Sequence, residues 1–147
     1  RKASATHSRQ SSAMAALAQA PDLPLTLFDD DDTATTLRAL RGSKALVIDF
    51  WTTRCERCPA CLTKLDGLVE RFAARATFAS VCLDDPDFAK ELVEENDWDH
   101  MQHGGMDLAT KELAKAHWGF SQVPFLVVIA TDGATAFAGS ALQVTAE

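Results

Sequence analysis

Apolar residues along this chain recur with two different periods. Ala45-Leu46-Val47-Ile48-Asp49-Phe50-Trp51 is almost continuously apolar, which suits a central strand covered on both faces. Cys58–Ala74 follows helical spacing, with Leu62, Leu65, Leu68, Val69 and Phe72 on the face expected to meet the core. Leu25–Phe28, Thr77–Leu83 and Phe125–Ala130 read as further strands. Asp29–Asp32 is an acidic turn, and Thr33 would cap a short helix through Leu40, stopped by Gly42-Ser43. Asp84-Asp85-Pro86 opens a helix over Asp87–Glu95. His100–Met106 is a linker with a glycine pair and room for a short strand. Asp107–Trp118 reads as a helix with Leu108, Leu113 and Ala116 inward. Asp132-Gly133 predicts a hairpin turn into Thr135–Gly139. Strands alternating with helices predict an α/β sheet. The final hairpin makes the sheet mixed, and the eight residues after Gly139 leave a closing C-terminal helix short or absent.

Composition narrows the picture further. The chain has 147 residues, 47% of them hydrophobic and 24% charged, as in ordinary globular domains. The longest apolar runs, Ala45–Ile48 and Phe125–Ala130, fall far short of the ~20 residues of a membrane-spanning helix. Residues 1–22 are rich in Ser, Ala, Thr and Gln and read as a flexible arm, with the domain over 23–147. The arm's bias towards Arg and Ser resembles a transit-peptide remnant. A cytoplasmic location is favoured, with organellar import as the alternative. Net charge is −7. The three basic residues of the arm, Arg1, Lys2 and Arg9, leave an acidic body behind them. Such a body is a poor match for nucleic acid, whose phosphates need lysines and arginines.

Three of the four cysteines, Cys55, Cys58 and Cys61, fall within seven residues, which points to redox or metal chemistry and not to a disulfide framework. Cys55-Glu56-Arg57-Cys58 follows the buried strand and opens the amphipathic helix. A helix N-terminus carries unpaired N–H groups and about half a positive charge, which favours thiolate over thiol. Arg54 and Arg57 add positive charge; Glu56 opposes them. Two thiols so spaced can close a disulfide with little movement. Cys55 is then the nucleophile that forms a mixed disulfide, and Cys58 the resolving thiol that releases reduced substrate. Asp49, a carboxylate within an otherwise dry strand, is the candidate acceptor for the Cys58 proton.

Asp49-Phe50-Trp51 followed by Cys-x-x-Cys, then Gln122-Val123-Pro124 before a strand, resembles the thioredoxin superfamily. The stretch Leu37–Lys44 leading into the strand is similar to TlpA/ResA-type redoxins. Asp87-Phe88 through Trp98, and Leu113–Phe120, are similar to tryparedoxins and nucleoredoxins. The resemblance covers about residues 25–139. It implies a thioredoxin-like fold with a central mixed sheet flanked by helices. It also implies a cis Pro124 packed beside the cysteine pair and a Val123 that offers backbone hydrogen bonds to an extended substrate. The expected activity is that of a protein-disulfide reductase without a bound cofactor or metal. Its partners would be disulfide-containing proteins and an upstream reductase or dithiol, with no nucleic acid or membrane, and it would act as a monomer.

The chain departs from the family in several places. Arg54 stands where an aromatic residue commonly precedes the first cysteine, and Glu56-Arg57 replaces the usual Gly-Pro or Pro-Pro. With Trp51, these residues define the expected substrate-contacting surface, although Trp51 also reads as a cap on the core. Cys61 creates an overlapping pair with Cys58 and reads either as a packed hydrophobe or as a backup thiol; Cys82 reads as core. Three alternatives remain. The cysteine trio with His100 or His103 could hold zinc, although the two histidines read more simply as residues of a mobile loop. Thr52, with two residues between it and Cys55, matches a peroxiredoxin threonine, although the proline expected four residues earlier is Ile48. The fold could also serve as a non-enzymatic redox sensor or interaction module.

Overall fold

The strand at Ala45–Trp51 sits where both faces of a sheet are covered, and the rest of the architecture follows from it. A computed structural model describes residues 18–143; residues 1–17 and 144–147, including most of the arm, lie outside the described residues. The described strands are β1 (Pro24–Leu27), β2 (Ala34–Thr36), β3 (Ala45–Trp51), β4 (Ala76–Cys82), β5 (Gln102–Gly105), β6 (Phe125–Ile129) and β7 (Thr135–Ser140). They form one sheet in the order β2-β1-β5-β4-β3-β6-β7. β3, β4 and β5 run parallel and the other pairs antiparallel. The helices are α1 (Leu37–Arg41), α2 (Cys58–Phe72), α3 (Pro86–Glu95) and α4 (Leu108–Trp118), and a 3-10 turn, Ala141–Gln143, follows β7. This is the thioredoxin-like fold, mixed sheet between helices, that the sequence predicts.

Alternation along β3 divides the core in two. Leu46, Ile48 and Phe50 join Leu37, Ala114, Trp118 and Phe120 on the face covered by α1 and α4. Val47 and Trp51 join Cys58, Leu62, Leu65, Ala89 and Trp98 on the face covered by α2 and α3. Asp49 belongs to this second face by the same alternation. Burying an uncharged polar group without hydrogen bonds costs about 1–3 kcal/mol by protein data, and an ionised carboxylate costs far more. Its fully buried neighbours Ile48 and Phe50 each contribute about 1.5–3 kcal/mol, which offsets the cost of the uncharged acid.

Three local expectations are corrected. The helix expected from Thr33 to Leu40 is instead strand β2 followed by α1: the chain pairs with β1 first, and Thr36, not Thr33, caps the helix by accepting the Ala39 amide. In α4 the inward residues are Thr110, Ala114 and Trp118, while Leu108, Leu113 and Ala116 are exposed. An i, i+4, i+8 stripe that ends in a large indole buries more area than one built on the two leucines. The segment at His100–Met106 is no mobile loop: it contains β5, whose glycines let β1 approach closely. A Cβ on Gly104 would lie 2.7 Å from the Thr26 carbonyl oxygen.

At the end of the stretch read as an arm, the Ala20 amide donates to Gly133 and the Ala18 carbonyl accepts from Thr135. Gly133 takes the positive φ of 89° that the hairpin turn requires.

Candidate active site

β3 ends at Trp51, and the chain reaches α2 through a loop whose shape is set by one carboxylate. Asp84, just beyond β4, accepts hydrogen bonds from the Thr53 amide (2.9 Å), the Thr53 hydroxyl (2.7 Å) and the Cys82 thiol (2.9 Å). Burial raises the Asp84 pKa, but the bonds from Cys82 and Thr53 outweigh it and hold the carboxyl below its ordinary range. Burial, then the bond to Asp84, pushes the Cys82 thiol up to about 12. Cys82 is therefore an inert core thiol, as its position on a strand suggests. Asp84 was not singled out in the sequence; the available signal is an acid at the end of the strand beside β3, next to the loop it must anchor.

Cys55 and Cys58 straddle the helix start and are joined by a disulfide, with Cα atoms 5.4 Å apart. Cys58 is the first residue of α2 and fully buried, whereas Cys55 lies three residues outside and is half-exposed. No side chain caps this helix. The Cys58 amide, one of the otherwise unpaired N–H groups, donates to Cys55 Sγ at 3.1 Å. In the reduced state that bond and the helix dipole favour a thiolate at Cys55. Arg54, Glu56 and Arg57 are all exposed around it.

The second wall comes from a distant part of the chain. β6 is the antiparallel neighbour of β3, and Phe50 pairs with Phe125, so the start of β6 lies beside the end of β3. The Val123–Pro124 peptide bond immediately before it is cis. The Val123 carbonyl oxygen lies 3.8 Å from Cys55 Sγ. Val123 and Pro124 also line a groove of about 290 Å³ together with Phe120, Phe125 and Leu142. The sequence-read residues Cys55, Cys58, Val123 and Pro124 thus converge where β3 ends and β6 begins, at one end of the central strands.

Asp49 is fully buried and neither carboxylate oxygen has a hydrogen-bond partner. Desolvation raises its pKa well above the ordinary carboxylate value of 3.8. Burial pushes the half-buried Cys61 thiol up, and the Asp49 charge adds to the effect, which puts Cys61 and Asp49 within electrostatic reach. Trp51 requires a correction: it is fully buried and meets Trp98 edge to face at 6.0 Å. It therefore supports the site from below and offers no surface to a substrate.

The histidines considered as metal ligands are otherwise engaged. His103 uses both ring nitrogens, on Ser80 and on the Trp98 carbonyl, and His100 Nδ1 lies 3.0 Å from Asp66. Asp66, a buried acid on α2 that sequence reading missed, also accepts from the amides of His100 and Met101. Among the described residues no group of three His, Cys, Asp or Glu side chains is arranged to hold a metal ion.

A thioredoxin-like fold carrying a cysteine pair at a strand-to-helix junction defines the class: a thiol–disulfide oxidoreductase-like protein. The chain belongs to the AhpC/TSA family, whose sequence profile matches residues 17–133. No curated protein matches it. Among solved structures it is similar to the thioredoxin domain of a thiol-disulfide oxidoreductase from Bacteroides vulgatus (17% identity, 85% of this chain and 90% of that one, TM-score 0.71). It is also similar to a thiol:disulfide interchange protein from Bacteroides sp. (18%, 86% and 84%, TM-score 0.70). A third similar structure is a secreted Mycobacterium tuberculosis disulfide oxidoreductase homologous to E. coli DsbE (18%, 81% and 84%, TM-score 0.65). At these identities the likeness is one of fold.

Proposed function

We propose that the protein catalyses thiol–disulfide exchange on disulfide-containing protein substrates, with Cys55 as nucleophile and Cys58 as resolving thiol. One observation carries this reading. The Cys55 sulfur is half-exposed, takes the Cys58 amide at the start of α2, and lies 3.8 Å from the Val123 carbonyl, beside the groove that Val123 and Pro124 line.

The reduced protein begins with Cys55 as thiolate and Cys58 as thiol. Cys55 Sγ attacks one sulfur of the substrate disulfide. That S–S bond breaks, a mixed disulfide forms, and the leaving substrate thiolate takes a proton from solvent. Cys58 then gives its proton to the Asp49 carboxylate and attacks Cys55 Sγ. The mixed disulfide breaks, the Cys55–Cys58 disulfide forms, and the second substrate sulfur leaves. Two electrons have passed from the dithiol to the substrate, and an upstream reductase or small dithiol must return them. Val123 would bond the backbone of an extended substrate segment lying along Pro124, while Arg54, Glu56 and Arg57 would meet its flanking residues.

In the test, Cys58→Ser should accumulate mixed disulfides with cystine-containing proteins, detected by non-reducing electrophoresis and mass spectrometry. Cys55→Ser should accumulate none. Full disulfide reductase activity in both variants would overturn the assignment.

A further inference from the structure

Cys58 stands between two other cysteines. Cys55, three residues before it, holds it in a disulfide; Cys61, three residues after it and one turn along α2, is a free thiol. Residues three apart on a helix are surface neighbours, with Cβ atoms about 5–6 Å apart. Helical side chains tilt toward the N-terminus, so the Cys61 side chain leans over the turn that Cys58 begins. Cys55 and Cys61 are both half-buried and both pack against the cluster that encloses Cys58. Little fixes this first turn: no side chain caps it, and Pro59 has no amide hydrogen to donate. A disulfide needs Cβ atoms about 3.5–4.5 Å apart, so a closing movement of about 1–2 Å would join Cys58 to Cys61.

Asp49 gives this second pair a base. It is fully buried, neither of its oxygens has a hydrogen-bond partner, and its charge acts on the Cys61 thiol. The two outer sulfurs also differ in the direction that exchange requires. Burial raises the Cys61 thiol, which makes its thiolate the stronger nucleophile. Cys55 accepts the Cys58 amide at the start of α2, which makes it the better leaving group.

We propose that Cys61 is a second partner for Cys58: in the oxidised protein it exchanges onto the Cys58 sulfur and returns Cys55 as a free thiolate. The inference rests on the reading of Cys55 as the nucleophile. Cys61 gives its proton to the Asp49 carboxylate and attacks Cys58 Sγ. The Cys58–Cys61 bond forms, the Cys55–Cys58 bond breaks, and the electron pair of the broken bond stays on Cys55 Sγ. No electrons enter or leave the chain, and Asp49 returns the proton to solvent. Cys55 can then attack a substrate disulfide while Cys58 is held by Cys61. The thiolate released from the substrate exchanges with a further disulfide of that substrate, and the substrate thiolate freed last displaces Cys55. The substrate's disulfides are rearranged and none is reduced. The oxidised protein is thus an isomerase for proteins with more than one disulfide, where the reduced protein is a reductase.

The test maps the disulfide in the full chain after oxidation with diamide, acid quenching, alkylation under denaturing conditions and trypsin digestion. Cleavage after Arg54 and Arg57 puts Cys55 on a peptide of its own, apart from Cys58 and Cys61, so mass spectrometry reads which sulfur was free. Wild type should give alkylated Cys55 together with an internal Cys58–Cys61 bridge, beside the isomer in which Cys61 is alkylated. The oxidised wild type should also reactivate disulfide-scrambled ribonuclease with no reductant present. Cys61→Ser and Cys61→Ala should lose both signals. A map in which Cys61 is alkylated in every oxidised wild-type chain and Cys55 in none would overturn the proposal, as would reactivation by oxidised Cys61→Ser at the wild-type rate. The map involves no substrate, so failure of the reduced wild type to reduce a peptide disulfide would defeat the exchange reading and leave the map as it stands.

Discussion

A carboxyl group with no hydrogen-bond partner and no solvent contact stores free energy that can be read as a dependence on pH. Asp49 is such a group, and burial raises its native pKa above the ordinary 3.8. Below 3.8 it is protonated in both the folded and the unfolded chain and leaves the balance unchanged. As pH rises from there through the native midpoint, the unfolded chain loses its proton first, so stability falls. The loss is about 1.4 kcal/mol for each pH unit separating the two midpoints. Asp49→Asn removes this dependence. Its stability relative to wild type should therefore rise between pH 4 and pH 8, measured on the oxidised protein by urea unfolding. A constant difference across that range would contradict the burial argument. If Asp49 is the base for Cys58, the same variant should also slow resolution of the mixed disulfide by about 10²-fold near neutrality, followed by stopped-flow release of a chromogenic thiol.

Between elements, the dithiol depends on contacts that link helix to strand across long stretches of sequence. Asp66 on α2 accepts the His100 and Met101 amides and approaches His100 Nδ1, which fixes the entry to β5 against the helix that carries Cys58. Asp66→Ala would strand two amides, one of them on the buried Met101, and should cost about 2 kcal/mol, seen as a lower urea midpoint with an unchanged slope. Gly104→Ala should also destabilise, by about 1–3 kcal/mol, because its Cβ would press on the Thr26 carbonyl and part β5 from β1. These two positions also mark where sequence reading stopped. β3 and α2 announce themselves by local period, and Asp49 stands out as a charge inside a dry strand, so the cysteine pair and the buried carboxylate proposed as its base could be picked out from the chain alone. β2 and β5 are short, polar or glycine-rich, and become strands only because β1 and β4 pair with them. His103, weighed in the sequence only as a metal ligand or loop residue, consequently becomes a strand partner of Ser80 only through those pairings, and Asp66 carries no signal of its own. In α4 the leucines misled for a related reason: the face that packs is chosen by the sheet, which takes Trp118 and the small Thr110 and Ala114.

At the scale of the whole molecule, charge and site oppose one another. The chain carries a net −7, yet the exposed residues that flank Cys55 in the chain, Arg54, Glu56 and Arg57, carry a net charge of +1. Screening decides which of the two a substrate feels. At 0.01 M salt the Debye length is about 30 Å, so the acidic body acts on any approaching peptide. At 0.15 M it is about 8 Å, and only charges near the reacting sulfur count. If these side chains meet the substrate, Glu56→Lys should raise kcat/KM for a cystine peptide with acidic flanks at 0.15 M salt, and Arg54→Glu should lower it. Each change should be of roughly tenfold at most, and a peptide with basic flanks should respond in the opposite sense. Both effects should collapse at 1 M salt, where screening shortens to about 3 Å. Stopped-flow rates on the paired peptides test this directly. A response that was the same for acidic and basic peptides would mean that the substitutions alter the Cys55 thiolate itself and not the encounter, and the role of these residues in substrate choice would be lost.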